Sequence, residues 1–224
     1  MTSIDHIVIA ARDLQAGAAF VEARLGVRPE QGGKHSMMGT HNLLLYLGGT
    51  SYLEVIAIDP AAAAPAHPRW FGLDDPRSRR RLAQCPQIVT WLAAVDDIAQ
   101  AVDACSYDAG AALAMSRGGF DWQVTVRADG ALAHGGLAPG LIQWPPGRHP
   151  AGALQDQGCR LRALRLLADR PGELALALAS VGADGLVEIA AAPVAAPDGL
   201  AAGSSARCHI EAVIESPKAV VTLT

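Results

Sequence analysis

One pattern recurs along this chain and restricts its fold more than any other feature: an alternating apolar run, a helix opened by an aspartate or a proline, then three short strands separated by glycine-bearing turns. In the first pass, residues 4–10 read as a strand. Asp13 is placed to cap a helix whose apolar face runs through Leu14, Ala18, Val21 and Leu25, and Gly26 stands where such a helix ends. Gly17 is the one residue that works against this helix. A short strand begins at Val27, Gly32-Gly33 makes a turn, and strands over 41–47 and 51–58 meet at the hairpin signal Gly48-Gly49.

A second pass follows a Pro-rich linker over 61–76. It has a strand over 88–93, a helix opened by Asp97-Ile98, and strands over 114–116, 122–128 and 141–144, with Gly118-Gly119 and Asp129-Gly130 as turns. The third pass has a strand over 160–168, a helix opened by Pro171-Gly172-Glu173, and strands over 186–191, 206–215 and 219–223. One βαβββ unit repeated roughly every seventy to eighty residues implies an architecture built from that unit.

Two of these strands carry polar side chains in phase. Side chains alternate along a strand, so His6 shares a face with Val8 while Ile7 and Ile9 face the helix, and Tyr52, Glu54 and Ile56 share a face in the same way. A carboxylate facing a core must be paired, protonated or metal-bound. An imidazole and a carboxylate aimed into one cavity are half of a divalent-metal site; equally, His6 and Glu54 can simply pair with each other.

Composition removes several classes of function. A formal charge of −4 offers no electrostatic case for nucleic acid, and the basic cluster Arg77, Arg79, Arg80 and Arg81 is flanked by Asp74 and Asp75, as on a solvated helix or loop face. Cys85, Cys105, Cys159 and Cys208 show no metal spacing, so a reduced, cytoplasmic protein is expected. The first residues hold no signal-peptide pattern, and no run reaches the roughly 18 to 20 apolar residues that cross a bilayer. No GxSxG, GxGxxG or P-loop occurs, which argues against nucleophilic hydrolysis and dinucleotide chemistry.

Three stretches together resemble the vicinal oxygen chelate superfamily, and more narrowly its glyoxalase-like branch. They are Ile4-Asp5-His6-Ile7-Val8 with Asp13-Leu14, Gly32-Gly33-Lys34-His35 with Met38-Gly39-Thr40-His41-Asn42, and Tyr52-Leu53-Glu54-Val55-Ile56-Ala57-Ile58-Asp59-Pro60. Leu141-Ile142-Gln143-Trp144 with His149-Pro150 resembles the end of that branch's second module. The resemblance implies an α+β fold in which paired βαβββ modules form an incomplete, concave β-barrel. It places a glyoxalase-like domain over 1–150, with modules 1–60 and 86–146, and a third βαβββ-like unit over 158–224 packed on it.

In that superfamily each module typically gives one metal ligand from its first strand and one from its last. The resemblance therefore implies a metal set of His6, Glu54 and Gln143, with Thr90 standing where a second histidine would be. His35, Thr40, His41 and Asn42 lie near the loop and strand that would rim the cavity and are expected to contact a ligand, with His41 alternating onto the opposite face from Asn42. Trp91, Trp122 and Trp144 fall in second-module strands, where an aromatic wall and core packing are both open readings. Trp70 is placed to cover an open end of the sheet, and His149 is read as surface or structural. The expected function is binding of a small oxygenated molecule, with Glu54 catalytic in a lyase, isomerase or dioxygenase-like reaction assisted by a divalent metal or by none. The alternatives are a non-catalytic sequestering protein with a degenerate metal site, and a structural protein. The expected partner is a small molecule rather than nucleic acid or membrane, and a homodimer is left open.

Overall fold

The computed structural model describes residues 1–193 and 208–224. Strand β1 (Ser3–Ala10) lies at the middle of the main sheet, and its residues from Asp5 to Ala10 are all buried. A strand covered on both faces carries an unbroken apolar run, which Ile7-Val8-Ile9-Ala10 supplies. The first module continues with α1 (Leu14–Leu25), β2 (Glu30–His35), β3 (Thr40–Tyr46) and β4 (Tyr52–Ile58). After α2 (Pro76–Gln84) the second module comprises β5 (Gln87–Ala94), α3 (Ile98–Ala104), β6 (Ala111–Arg117), β7 (Phe120–Val126) and β8 (Gly140–Gln143).

These strands form one curled eight-stranded half-barrel sheet in the order β2-β3-β4-β1-β5-β8-β7-β6, which runs the same way outward from its β1/β5 centre. In each module the first strand pairs in parallel with the last, β1 with β4 and β5 with β8. Alternation then sorts the side chains onto two faces. Ile7, Ile9, Val55, Trp91 and Leu141 face the convex side with Ala18, Val21 and Leu25 of α1. Val8, Ile56, Leu92, Met115, Trp122 and Ile142 face the concave side.

The C-terminal unit supplies β9 (Arg160–Ala168), α4 (Pro171–Ser180), β10 (Glu188–Ala191), β11 (His209–Glu215) and β12 (Val220–Leu223). They form a separate four-stranded sheet in the order β10-β9-β11-β12. The order of elements is the expected βαβββ, but the wiring differs from the first two modules: β9 pairs in parallel with the strand directly after the helix, not with the last strand. Leu164, Leu166, Ile210, Ala212 and Ile214 join the convex core, each worth about 1.5–3 kcal/mol of burial for the larger side chains. The opposite face of this sheet carries the ion pairs Arg162–Glu215 and Arg165–Glu188. The unit therefore covers the back of the half-barrel and leaves the concavity open. Residues 206 and 207, the expected start of β11, lie outside the described residues.

The local signals at the ends of α1 are as expected: Asp13 accepts from the Ala16 amide at 2.7 Å, and Gly26 takes the left-handed conformation that closes the helix. Gly32-Gly33 is not a turn. Both glycines lie inside β2, at an irregularity in its register with β3, and the chain reverses instead at 36–39. The basic cluster falls on α2, a helix capped by Asp75 that begins where the expected linker ends. Among the described residues no helix is long and apolar enough to cross a membrane.

Gly17 has a packing reason. A Cβ there would stand 2.3 Å from Cγ1 of Val55 and 3.0 Å from Cβ of Ala11, so its absence lets α1 lie directly on β4. Gly17→Ala gains about 1 kcal/mol of helix propensity but overpacks this contact at a cost of about 1–3 kcal/mol. The expected outcome is a net loss of about 1 kcal/mol, read as a lower urea midpoint at unchanged slope; a raised midpoint would mean that Val55 turns aside freely.

Candidate functional site

The concave face holds a continuous chain of polar side chains, and a bulge in β1 begins it. Ile4 pairs with Ala93 and His6 with Leu92 on β5, so Asp5 is the extra residue. A bulge breaks strict alternation, and the side chains of Asp5 and His6 meet although they are adjacent in sequence. His6 Nδ1 lies 2.5 Å from Asp5 Oδ1, and its Nε2 faces Glu54 Oε2 at 3.5 Å. The Tyr52 ring stacks on the imidazole, with centroids 4.7 Å apart and planes at 18°.

Hydrogen bonds fix the other members. Asp5 Oδ2 accepts from Trp144 Nε1 at 2.8 Å and from His149 Nε2 at 2.9 Å. The Ala151 amide donates to His149 Nδ1, so the His149 proton sits on Nε2. Glu54 Oε1 accepts from Asn42 Nδ2 at 2.5 Å. Asn42 Oδ1 in turn accepts from the Gly33 amide at 2.8 Å and from Arg117 Nη1 at 3.1 Å. The same Arg117 nitrogen donates to His35 Nε2 at 2.8 Å, which leaves His35 Nδ1 to donate to Thr40 Oγ1 at 3.2 Å. Gly32 and Gly33 make this possible: a Cβ on Gly32 would stand 2.1 Å from Asn42 Oδ1, and one on Gly33 2.6 Å from Arg117 Cδ.

The electrostatics follow from burial and pairing. Burial opposes the charge on His6, but Asp5 and Glu54 outweigh it and raise the imidazole from 6.5 to about 9. Burial likewise opposes ionisation of Glu54, yet His6 and then Asn42 hold it at about 2; for Asp5, His149 and His6 do the same, again to about 2. His35 goes the other way, lowered to about 4 by burial with only partial relief from Glu54. Two carboxylates are thus matched by the His6 imidazolium and the Arg117 guanidinium.

A cavity of ≈430 Å³ opens beside this chain, lined by His35, Met37, Met115, Trp122, Gln143 and Trp144 among others. A smaller space of ≈30 Å³, room for about one water, lies deeper among His6, Asn42, Glu54, Arg117 and Trp70. His35, Trp122 and Trp144 line both, which makes them the wall between the two. Trp70 packs edge-on to His35 at 4.9 Å and closes the inner end.

The structure brings His6, Glu54, Asn42, His35, Thr40 and Trp122 together and leaves three expected site residues out. His41 alternates to the other face of β3, in register with Lys34 and Ala57. Trp91 is in register with Ile7 on the convex side and donates its Nε1 to the Leu137 carbonyl. Gln143 touches the outer cavity, but its carbonyl oxygen accepts from the Ile98 amide at the start of α3, so it does not meet Glu54. Trp144, expected in an aromatic wall, does line the concavity, whereas the parts played by Asp5, Arg117 and His149 are not visible in the sequence. The one signal pointing toward Arg117 was the glycine pair, since glycine within a strand marks a close approach.

A divalent-metal site of the superfamily pattern does not fit these residues. Superposing the modules on their helix starts, Leu14 and Ile98, sets Thr90 against His6 and Leu92 against Val8. Val8 is in register with Glu54, whereas Leu92 is in register with Gly140, so a residue without a side chain takes the place of Glu54 in the second module. The Thr90 hydroxyl bonds the Gly136 carbonyl at 3.2 Å. Among the described residues no three His, Cys, Asp or Glu side chains are grouped to hold a metal ion.

A curled sheet of two βαβββ modules around a polar concavity defines the glyoxalase-like class of the vicinal oxygen chelate superfamily. The chain belongs to the glyoxalase-like domain family, matching it over residues 4–182. The match runs past the expected boundary at 150 and takes in β9 and α4. No curated protein matches the sequence. Among solved structures, a hypothetical protein from Staphylococcus aureus is similar at a TM-score of 0.50 with 10% identity, over 99% of this chain and 84% of that one. A methylmalonyl-CoA epimerase in complex with methylmalonyl-CoA and NH4+ gives 0.42 at 22% identity, over 67% of this chain and 99% of its own. The Mycobacterium tuberculosis methylmalonyl-CoA epimerase gives 0.41 at 16%, over 68% and 92%.

The buried ion array predicts a stability optimum. His6 is raised to about 9, so its contribution is complete below its ordinary 6.5 and is lost as pH rises through 9. Asp5 and Glu54 contribute above their ordinary 3.8 and 4.5 and lose that contribution as pH falls through about 2. His35 penalises the fold as pH falls from 6.5 to about 4, because the folded state resists its protonation. The melting temperature should therefore peak near pH 6.5 and fall on both sides. His6→Gln should cost about 3–5 kcal/mol by leaving two buried carboxylates without their cation, and should flatten the alkaline limb. An alkaline limb unchanged in that variant would detach it from His6.

Proposed function

We propose that the protein binds a small oxygenated organic molecule in the concavity and carries out an isomerase-type proton transfer on it, with Glu54 as the accepting carboxylate. The observation that supports this is the buried Asp5–His6–Glu54 array beside the cavity. Placing three charged groups out of water costs several kcal/mol in desolvation, and the strands that carry them are already held by backbone pairing. A site that needs charge is the economical reason to keep it.

In this reading Glu54 takes a proton from a carbon next to a carbonyl, and the charge that develops on the carbonyl oxygen receives the His6 Nε2–H. Turning that N–H onto the substrate removes the main partner that holds Glu54 acidic, so its basicity rises when it is needed. Asp5 keeps the imidazole oriented through Nδ1, and Asn42 holds the second oxygen of Glu54 in place. The same carboxyl then returns the proton to that carbon or its neighbour, so no co-reactant is consumed.

A second reading, sequestration without turnover, is favoured by the geometry of the inner space. Both Glu54 oxygens are engaged, and Glu54 lines the small inner space rather than the ≈430 Å³ cavity in front of it.

A thermal-shift panel of small oxo-, hydroxy- and carboxylate-bearing compounds, with hits followed by proton NMR in D2O, separates the two readings. Catalysis predicts exchange of a ligand C–H for deuterium by the native protein and a loss of about 100-fold or more in Glu54→Gln. Binding without exchange would establish sequestration, and a panel in which nothing raises the melting temperature would discard both. Elemental analysis should find no stoichiometric divalent metal, and a chelator should leave the melting temperature unchanged. A tightly held ion would overturn the metal-free assignment.

A further inference from the structure

Arg117 is treated differently from every other arginine among the described residues. Arg12, Arg28, Arg69, Arg79, Arg127, Arg160, Arg162, Arg165 and Arg170 each pair with a carboxylate. Arg24, Arg77, Arg80, Arg81 and Arg148 have no such partner but are exposed, where water solvates the charge. Arg117 is drawn in from the surface, and what it bonds is neutral: His35 Nε2 and the Asn42 carbonyl, both through Nη1. Its Nε and Nη2 have no partner among the described residues and are not sealed from solvent. That pair of donors is the edge of a guanidinium that grips a carboxylate with two parallel hydrogen bonds.

The surroundings narrow the class of anion. Arg117 stands over Trp122, its guanidinium carbon 5.7 Å from the ring centroid, and Gly33 clears the path of its side chain. Trp122 and Trp144, with centroids 5.2 Å apart and planes at 32°, wall both the inner space and the open cavity. Met37 and Met115 line the cavity with adaptable thioethers. A monoanion suits the site better than a dianion, because Asp5 and Glu54 already offset the charges of His6 and Arg117.

We propose that Arg117 anchors the carboxylate of a small planar monoanion whose flat body lies against Trp122 and Trp144, so that the ligand class is the aromatic or conjugated carboxylates. The inference rests on the concavity being the ligand site, as proposed above, and adds which chemistry it selects.

The test compares 2-naphthoate, 2-naphthamide and 2-naphthyl phosphate by tryptophan-fluorescence titration and thermal shift at pH 7. The native protein should bind the carboxylate about tenfold or more tightly than the amide, the difference of one well-made charged contact. Arg117→Gln should erase the preference while leaving amide binding in place, and Arg117→Lys, which keeps the charge without the fork, should restore part of it. Gly33→Ala, which crowds the Arg117 side chain without changing any charge, should weaken the carboxylate alone. Equal affinity for carboxylate and amide in the native protein, a preference that survives Arg117→Gln, or tighter binding of the phosphate each overturns the proposal. Amide binding without preference sinks the anchor and leaves the cavity reading standing, whereas failure of all three probes sinks both. The comparison on the native protein decides the matter even where a variant does not fold.

Discussion

The contact of one buried imidazole with two buried carboxylates sets the terms for the rest of the concave face. Once Asp5, His6 and Glu54 are out of water, each remaining lone pair and N–H must find a partner, because an unmet polar group at that depth costs about 1–3 kcal/mol or more. Asn42 from β3 takes one Glu54 oxygen, and Trp144 and His149 from the segment after β8 take the second Asp5 oxygen. Requirements of a single site thus tie the first strand to residues nearly a hundred and forty positions away in the chain. The bulge is the small device behind this: without an extra residue in β1, Asp5 would face the convex core and His6 would have one carboxylate, not two.

The two modules share a wiring plan and divide the work unequally. The first contributes Asp5, His6, His35, Asn42 and Glu54. The second contributes Arg117, Trp122 and Trp144 and has threonine and glycine at the positions equivalent to His6 and Glu54. Gly32 and Gly33 join the halves, since only strand positions without side chains let Asn42 and Arg117 close over β2. The C-terminal sheet takes no part in this. By burying the convex faces of β1 and β5, it supplies the apolar contact that lets the concave side carry so much charge.

Much of this was legible in the sequence because it depends on period and punctuation. The order of strands and helices, the Asp13 cap, the Gly26 stop and the shared face of His6 and Glu54 all follow from side-chain alternation and capping chemistry. The errors have physical sources. Gly32-Gly33 looked like a turn because glycine pairs usually are, and only the partners across the sheet show why a strand needs them. Gln143 follows from aligning the last strands of the two modules by sequence, whereas register puts Gly140 at the place equivalent to Glu54. Trp91 lies on the convex side, because an aromatic residue in a strand is compatible with either face until the register is known, while His41 alternates away from Asn42 as the period of a strand requires. Asp5 could not be read at all, since strict alternation turns it away from His6, and a bulge is a property of two strands together.

The same contact that replaces the metal ligands also opposes a metal. Metal binding needs a neutral imidazole with a free lone pair, but His6 has one nitrogen on Asp5 and the other on Glu54 and is held protonated up to about pH 9. At neutral pH an incoming cation would have to displace a tightly held proton and break the Glu54 contact, with no third protein ligand in the second module to repay it. An Asp–His pair is in other settings the support of a metal ligand; here the second carboxylate turns the same pair into a closed ion array. The proton occupies the place that the superfamily pattern gives to a metal, and Arg117 supplies the remaining positive charge from a side chain.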